Sequence, residues 1–234
     1  MRYKTELHCH SAPVSTCSLI SPEEIVRKYS AAGYQSVVLS NHFSRVTFKN
    51  MERTGFPDTW DGKVDYFMSD YRRFEAAARS AGISPIFGAE VRLDCHAETD
   101  FLLFGVTEDY LRQTPDLLSF SVREFSASVR GAGILLFQAH PFRNGMVVTD
   151  PRLLDGLEVY NAHPGQHSRN DFAELWADRF HLLKSSGTDL HAQDYPIGGG
   201  IETAFPVTDS KELLSVLKSG AYTLIKAGQP GLDN

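Results

Sequence analysis

The chain is short of several things that would have classified it quickly. Cysteine is the first: Cys9, Cys17 and Cys95 are the whole supply in 234 residues. The number is odd and no C-x-x-C pair occurs, which argues against a disulfide-stapled scaffold and against a structural zinc knuckle. Long apolar runs are the second. None approaches the roughly eighteen residues of a membrane span, and the opening MRYKTELHCH holds no apolar signal segment. A basic excess is the third. Lys plus Arg number 23 against 29 Asp plus Glu, for a net charge of −6, so there is no clear nucleic-acid footprint. These absences lead to the expectation of a cytoplasmic protein with no membrane partner. Internal repeats, low-complexity tracts and linkers are missing as well, so residues 1–234 read as a single domain.

What is present alternates. YKTELHCH reads as a strand, and SPEEIVRKYSAAG as a helix with Ser21 at the N-cap, Pro22 at the first helical position, Glu24 closing a capping box and Gly33 stopping it. SVVLSNH, PIFGAEVRL, DFLLFGV, ILLFQAHPF, GLEVYNAH, HLLKSSGTDLH and AYTLIKA read as strands. YFMSDYRRFEAAARSAG, SVREFSASVRGAG, NDFAELWADRF and KELLSVLKSG read as helices. Alternation of this kind gives an α/β fold with a mostly parallel sheet. With so many units in one domain, a barrel is expected over an open sheet. Residues 44–64 and 143–152 read as long polar loops, either surface insertions or lids.

His8 and His10 in TELHCHS lie two apart at a strand end, so both rings lean to one face. Alone, the pair is either a metal clamp or two solvated histidines. The other strand ends decide. LSNH ends at His42, FGAE at Glu90, QAH at His140, and GTDLH brings Asp189 and His191. In a βα barrel the C-terminal strand ends converge on the active-site face. Imidazole and carboxylate together suit manganese, zinc or iron. Seven such groups exceed the needs of one tetrahedral ion and suit two or three. Multinuclear sites activate water and stabilise in-line displacement, most naturally at phosphorus.

ELHCHS, LSNH, FGAE, QAHPF, LEVYNAH and GTDLH resemble, in order and spacing, the signatures of the PHP superfamily, named for polymerase and histidinol phosphatase. The resemblance covers essentially the whole chain and is closest to small stand-alone bacterial members. It implies a distorted seven-stranded (β/α) TIM-like barrel and metal-dependent phosphoesterase activity. It also implies His8, His10, His42, Glu90, His140, Asp189 and His191 as ligands of divalent ions, with a metal-bound water as the nucleophile. Three departures stand out. APVSTC replaces the stretch in which many members carry a histidine or aspartate, DFLLFG replaces a histidine beyond the glutamate strand, and SNH replaces T-D-H. Two ions held tightly and a third weak or absent is the expectation.

Around these ligands, Asp100, Glu158, Asn161 and His163 are candidates for an additional ligand or for groups that orient the imidazoles. Arg143 is the candidate phosphate binder, with a solvated loop arginine as the other reading; for Arg45 the solvated reading leads. His96, His167 and His181 read as surface or structural. Cys9 reads as a small buried hydrophobe, and Cys17 is left without a chemical role. GGG at 198–200 reads as a flexible loop near the site. Phe43, Trp60, Tyr160 and Tyr195 either line a pocket or pack in the core. The function expected is hydrolysis of small phosphomonoesters, with the general acid and the oligomeric state unassigned. The alternatives are an amidohydrolase-type C–N or C–O hydrolase and a metal-binding domain with weak or lost catalysis.

Overall fold

The computed structural model describes residues 2–95 and 99–227. The chain opens with β1 (Tyr3–Glu6), α1 (Pro22–Ala31), β2 (Ser36–Leu39), β3 (His42–Phe43), α2 (Arg45–Met51) and α3 (Trp60–Ser80). Next come β4 (Ser84–Arg92), β5 (Asp100–Phe104), α4 (Glu108–Gln113), α5 (Val122–Gly131) and β6 (Leu135–Gln138). β7 (Gly156–Asn161), α6 (Asn170–Phe180), β8 (Leu183–Gly187), β9 (Ile201–Thr203), α7 (Ser210–Ser219) and β10 (Thr223–Leu224) follow. Among the described residues no helix is long and apolar enough to cross a membrane.

Local chemistry starts the helices. Ser21 accepts the Glu24 amide at 3.3 Å while the Glu24 carboxylate accepts the Ser21 amide at 2.9 Å, the reciprocal cap expected for α1. Ser121 and Glu124 do the same for α5. The 44–64 stretch is less open than its polar sequence suggested. Ser44 caps α2 and Thr59 caps α3, which begins at Trp60. That early start is concealed by Gly62, a poor helix former. Here it is required, because a Cβ would meet the Pro57 carbonyl oxygen at 2.0 Å.

The strands line up in the order β1-β2-β4-β5-β6-β7-β8. Closure comes just beyond the ends of β1 and β8, where Cys9 and Leu190 form a parallel bridge. His10 N–H donates to Leu190 O at 3.0 Å and Asp189 N–H to His8 O at 2.8 Å. The nearly closed barrel therefore has seven strands on its path, as the resemblance implied. The distortion is β5, which runs antiparallel to both β4 and β6. β9 and β10 add antiparallel edges beside β1.

Alternation along each strand sorts its residues. On β4, Phe87, Ala89 and Val91 join the core beneath the outer helices, while Ile86 belongs to a second core with Leu102, Phe104, Phe137 and Leu213 of α7. Glu90 shares the face of Ile86, two pleat repeats closer to the strand end. β5 repeats the pattern in reverse, with Phe101 and Leu103 in the outer core and Leu102 and Phe104 in the inner one. Because β5 is inverted, its first residue lies at the same end as Glu90, with Arg92 opposite Asp100.

The GGG segment is a correction. Residues 198–200 are buried, and Gly198 and Gly199 donate to Thr188 Oγ1 at 3.3 and 3.1 Å. A Cβ on Gly199 would meet the Gly187 carbonyl carbon at 2.0 Å. The glycines are there for close backbone packing, and flexibility plays no part.

Candidate metal centre

The ends of β1, β4, β6 and β8, together with β3, deliver their polar residues to one place. His8 Nε2 stands 2.9 Å from His10 Nε2 and 3.4 Å from both Glu90 Oε1 and Asp189 Oδ1. His10 Nε2 lies 3.3 Å from Asp189 Oδ1 and 3.4 Å from Glu90 Oε2. His140 Nε2 is 3.1 Å from Glu90 Oε1. His8, His10, Glu90, His140 and Asp189 are all buried and form the floor. His42 and His191 stand above, with side chains 20% and 12% exposed. All seven residues that the sequence singled out are brought together.

Each floor group is held from behind. Glu158 Oε1 bonds His8 Nδ1 at 2.8 Å, which fixes the ring with Nε2 toward the cluster. Glu158 Oε2 accepts the His140 amide and the Asn161 side-chain amide, both at 2.9 Å. Asn161 also donates to Asp189 Oδ2 at 3.1 Å. Gly187 leaves room for the pair, since a Cβ there would meet His8 Cβ at 2.3 Å and Glu158 Oε1 at 2.5 Å. His140 and Asp189 adopt left-handed backbone, with φ of 29° and 53°. That conformation is costly for residues with a side chain and is typical of sites where geometry is over-determined.

Charge follows the same division. Burial depresses His8, but the charges of Glu158, Asp189 and Glu90 outweigh it and hold the ring well above its usual range. His10 goes the other way, pushed well down by burial and by His42 and His191. Burial raises Glu90 and Asp189, yet both lie well below the usual carboxylate range. His42 and His8 draw Glu90 down, and His8 and Arg143 do so for Asp189.

The donor set fits divalent ions on its own geometry. Ligand atoms of His8, Glu90 and His140 lie within 4.8 Å of one another, as do those of His8, His10 and Asp189, and those of His10, His42 and His191. Glu90 Oε2 and His140 Nδ1 are buried with no hydrogen-bond partner. Orphaned buried polar atoms are costly, and a cation is what this set of donors lacks.

A cavity of about 240 Å³ opens over the cluster, lined in part by Cys17, Arg92, Asp100, Arg143, His163 and Tyr195. Arg143 Nη2 donates to Asp189 Oδ2 at 2.6 Å and to Asn161 Oδ1 at 3.0 Å. Its Nε is buried without a partner. Asp100 is 4.0 Å from His140 Nε2, but Arg92 Nε and Nη2 each grip one of its oxygens at 2.6 Å. His163 stands at the rim, its ring 5.4 Å from His191. Burial pushes it down to about 4.

Other candidates fall elsewhere. Arg45 is exposed and pairs with Asp94 at 2.5 Å, outside the cavity lining. His167 and His181 are exposed, and His96 lies outside the described residues. Cys9 is buried, as expected, with its thiol donating to Val38 O at 3.3 Å. Phe43 packs in the core, Trp60 Nε1 donates to Leu111 O at 2.7 Å, and the Tyr160 hydroxyl bonds Ala227 O.

Three supporting residues escaped the sequence reading. Arg92 gave no signal beyond lying two residues after Glu90. Asp70 on α3 accepts from Ser11 Oγ at 2.9 Å and from Val14 N at 3.1 Å, tethering the loop after His10. Glu6 accepts the amides of Leu7, His8 and Thr188 at 3.0, 2.9 and 2.9 Å, beneath the clamp. Only the position of Glu6, two residues before His8 on the same strand, could have flagged it.

A family model for the PHP domain matches residues 6–167. The chain belongs to the PHP domain family. The matched part of this PHP domain carries His8, His10, His42, Glu90 and His140. Asp189 and His191 lie beyond it and are returned to the cluster by the β1–β8 closure. No curated protein sequence matches the chain. Among solved structures, it is similar to a two-domain protein from Bacteroides vulgatus containing a predicted PHP-like metal-dependent phosphoesterase (TM-score 0.69, 15% identity). That match covers 97% of this chain and 65% of the other, so the PHP domain spans under two thirds of that protein. A protein from Bifidobacterium adolescentis, proposed to be a metal-dependent phosphoesterase, gives a TM-score of 0.57 at 17% identity, over 92% of this chain and 95% of its own. An amidohydrolase from Chromobacterium violaceum gives 0.54 at 16%, over 96% and 98%. At such identities the likeness is one of fold.

Proposed function

We propose that this PHP domain is a metal-dependent phosphoesterase that hydrolyses small phosphomonoesters, using two or three divalent ions held by His8, His10, His42, Glu90, His140, Asp189 and His191. One observation carries the reading. Three ligand groups sharing His8 and His10 sit under a cavity that also presents Arg92 and Arg143. Bound divalent ions would polarise the phosphoryl oxygens and acidify water near neutral pH.

The chain's own residues do the rest. Glu158 holds His8 by Nδ1, so Nε2 is the ring nitrogen that faces the cluster and would take an ion as its own proton leaves. Arg143 is braced by Asp189 and Asn161 and still has Nε to offer a phosphate oxygen. Arg92, fixed by Asp100, adds a second positive charge to the cavity lining. His163 accepts the Gly165 amide at Nδ1, 3.1 Å away, which leaves its proton on Nε2 as a neutral donor to a substrate oxygen. The cavity, about 240 Å³, suits a small ester better than a polymer.

The test is inorganic phosphate release from a panel of phosphomonoesters with added Mn²⁺, repeated after chelation. Chelator-sensitive release supports the reading. Turnover of amides or lactones alone would replace it with amidohydrolase chemistry. Bound metal with no turnover of any ester or amide would leave a domain that keeps its ligands and has lost catalysis.

A further inference from the structure

The outer face of α6 is apolar and uncovered. Phe172, Leu175 and Phe180 are 54%, 67% and 40% exposed, so three of the seven large apolar side chains exposed among the described residues lie on this one helix. Trp176 lies half-buried between Phe142 and Phe180, its ring centroid 6.0 and 4.7 Å from theirs. Ala173 and Ala177 are the buried residues of the opposite side. Residues four apart in a helix form a ridge, and two ridges run side by side along the outer face. One is Phe172–Trp176–Phe180; the other is Asp171–Leu175–Arg179. A contiguous exposed apolar patch marks an interaction surface, and aromatic side chains are enriched in such surfaces.

The charges on the helix say what covers it. The other acids of α6 are engaged within the chain: Glu174 Oε2 lies 2.6 Å from Lys226 Nζ, and Asp178 Oδ1 lies 2.7 Å from Lys184 Nζ. Asp171 and Arg179 are exposed and form no ion pair among the described residues; the Arg179 guanidinium rests 5.7 Å from the centroid of the Phe180 ring. The two stand four residues before and four residues after Leu175. Reversed end to end, the ridge therefore presents cation to anion and leucine to leucine. An antiparallel second copy would set the Asp171 carboxylate of each chain against the Arg179 guanidinium of the other, twice, with both Leu175 side chains at the axis.

We propose that the outer face of α6 is a homodimer interface, in which the α6 helices of two copies pack antiparallel about a two-fold axis at Leu175. The occupant is a second copy because the surface complements itself. The apolar ridges supply the attraction, and the paired charges fix the orientation. No residue of α6 lines the cavity over the histidine cluster, so the proposal stands apart from the function proposed above. One neighbour links the two. Phe142, next to Arg143, has its ring 6.2 Å from that of Phe172, and Arg169 Nη1 donates to Phe142 O at 2.8 Å. Pairing would cover the support of the loop that carries Arg143.

The test is sedimentation velocity of the full chain over a concentration series, with charge-swap variants. The parent chain should form a reversible dimer. Asp171→Arg makes the ridge positive at both ends, and Arg179→Asp makes it negative at both ends. Each alone should weaken dimerisation by about tenfold or more, because like charges then face one another twice. Mixed in equal amounts, the two variants should pair with each other and regain the dimer, and the double variant Asp171→Arg/Arg179→Asp should regain it alone. Leu175→Glu should abolish it at every concentration. All three positions are exposed, so the monomeric variants should still melt cooperatively. A parent chain that is monomeric throughout would overturn the proposal and leave the face to a different partner. A dimer indifferent to Leu175→Glu would overturn it by placing the interface elsewhere. A dimer lost in Leu175→Glu but not restored by mixing the swapped chains would overturn the antiparallel arrangement.

Discussion

The floor and the mouth of the cluster are made of similar side chains on different supports. His8, Glu90, His140 and Asp189 sit at or just past strand ends, buried, with Glu158, Asn161 and Arg143 bracing them through hydrogen bonds. His42 and His191 stand higher and half-buried, with backbone ties to the loop after His10 and one side-chain contact each, His42 Nδ1 to Glu90 Oε2 at 2.7 Å and His191 Nδ1 to Asp189 O at 2.9 Å. Support of the first kind braces buried groups from several sides; support of the second gives each ring a backbone tie and a single side-chain contact. The floor should therefore hold an ion more tightly than the mouth, which should exchange it more readily.

The hardest blow to that contrast is Glu158→Ala. It orphans His8 Nδ1 and the His140 amide in a buried setting. A metal titration should show floor affinity down about 10–100-fold, and denaturant melts should show a loss of about 3–5 kcal/mol. Gly187→Ala should act on the same pair by crowding, costing about 1–3 kcal/mol; an unchanged melt would mean the floor is softer than its packing implies. Acid should attack floor and mouth alike. His8, His42 and His191 all hold their protons above their ordinary 6.5, so an entering ion must displace them. Affinity should rise with pH above that value, by about tenfold per unit for each proton released. Calorimetry in buffers of different ionisation enthalpy would count the protons. Arg143→Ala should raise KM for phosphate esters more than it lowers kcat, since it binds substrate without holding metal. Arg45→Ala, outside the cavity lining and paired with Asp94, should change stability by no more than about 0.5 kcal/mol.

The floor was legible in the sequence because strand periodicity and strand ends are local signals. Glu90 follows four apolar-rich residues of β4, and Asp189 and His191 close a strand-like run. β5 was legible as a strand but not in direction, since DFLLF reads alike both ways and orientation is set by its neighbours. The mouth was half legible. His42 and His191 follow strand-like runs, but the loop after His10 is placed by Ser15, Ser18 and Leu19 bonding across 27, 8 and 172 residues of chain. No spacing rule encodes such ties. Asp70 was invisible for the same reason, its partners Ser11 and Val14 lying 59 and 56 residues away, and the Thr188 contacts of Glu6 were equally hidden. The glycines at 198–200 misled because a glycine chosen for tight packing looks, in sequence, like one chosen for freedom.

The seam between β1 and β8 has a consequence for how the molecule comes into being. His8 and His10 leave the ribosome well before Asp189 and His191, which follow them in the chain by 181 residues each. The β1–β8 bridge that joins them forms only when both are outside the exit tunnel. Until residue 189 emerges, a nascent chain carries its histidine clamp with no aspartate to complete it. Assembly of the floor therefore waits for that residue, and a ribosome stalled before it displays a chain unable to assemble the cluster.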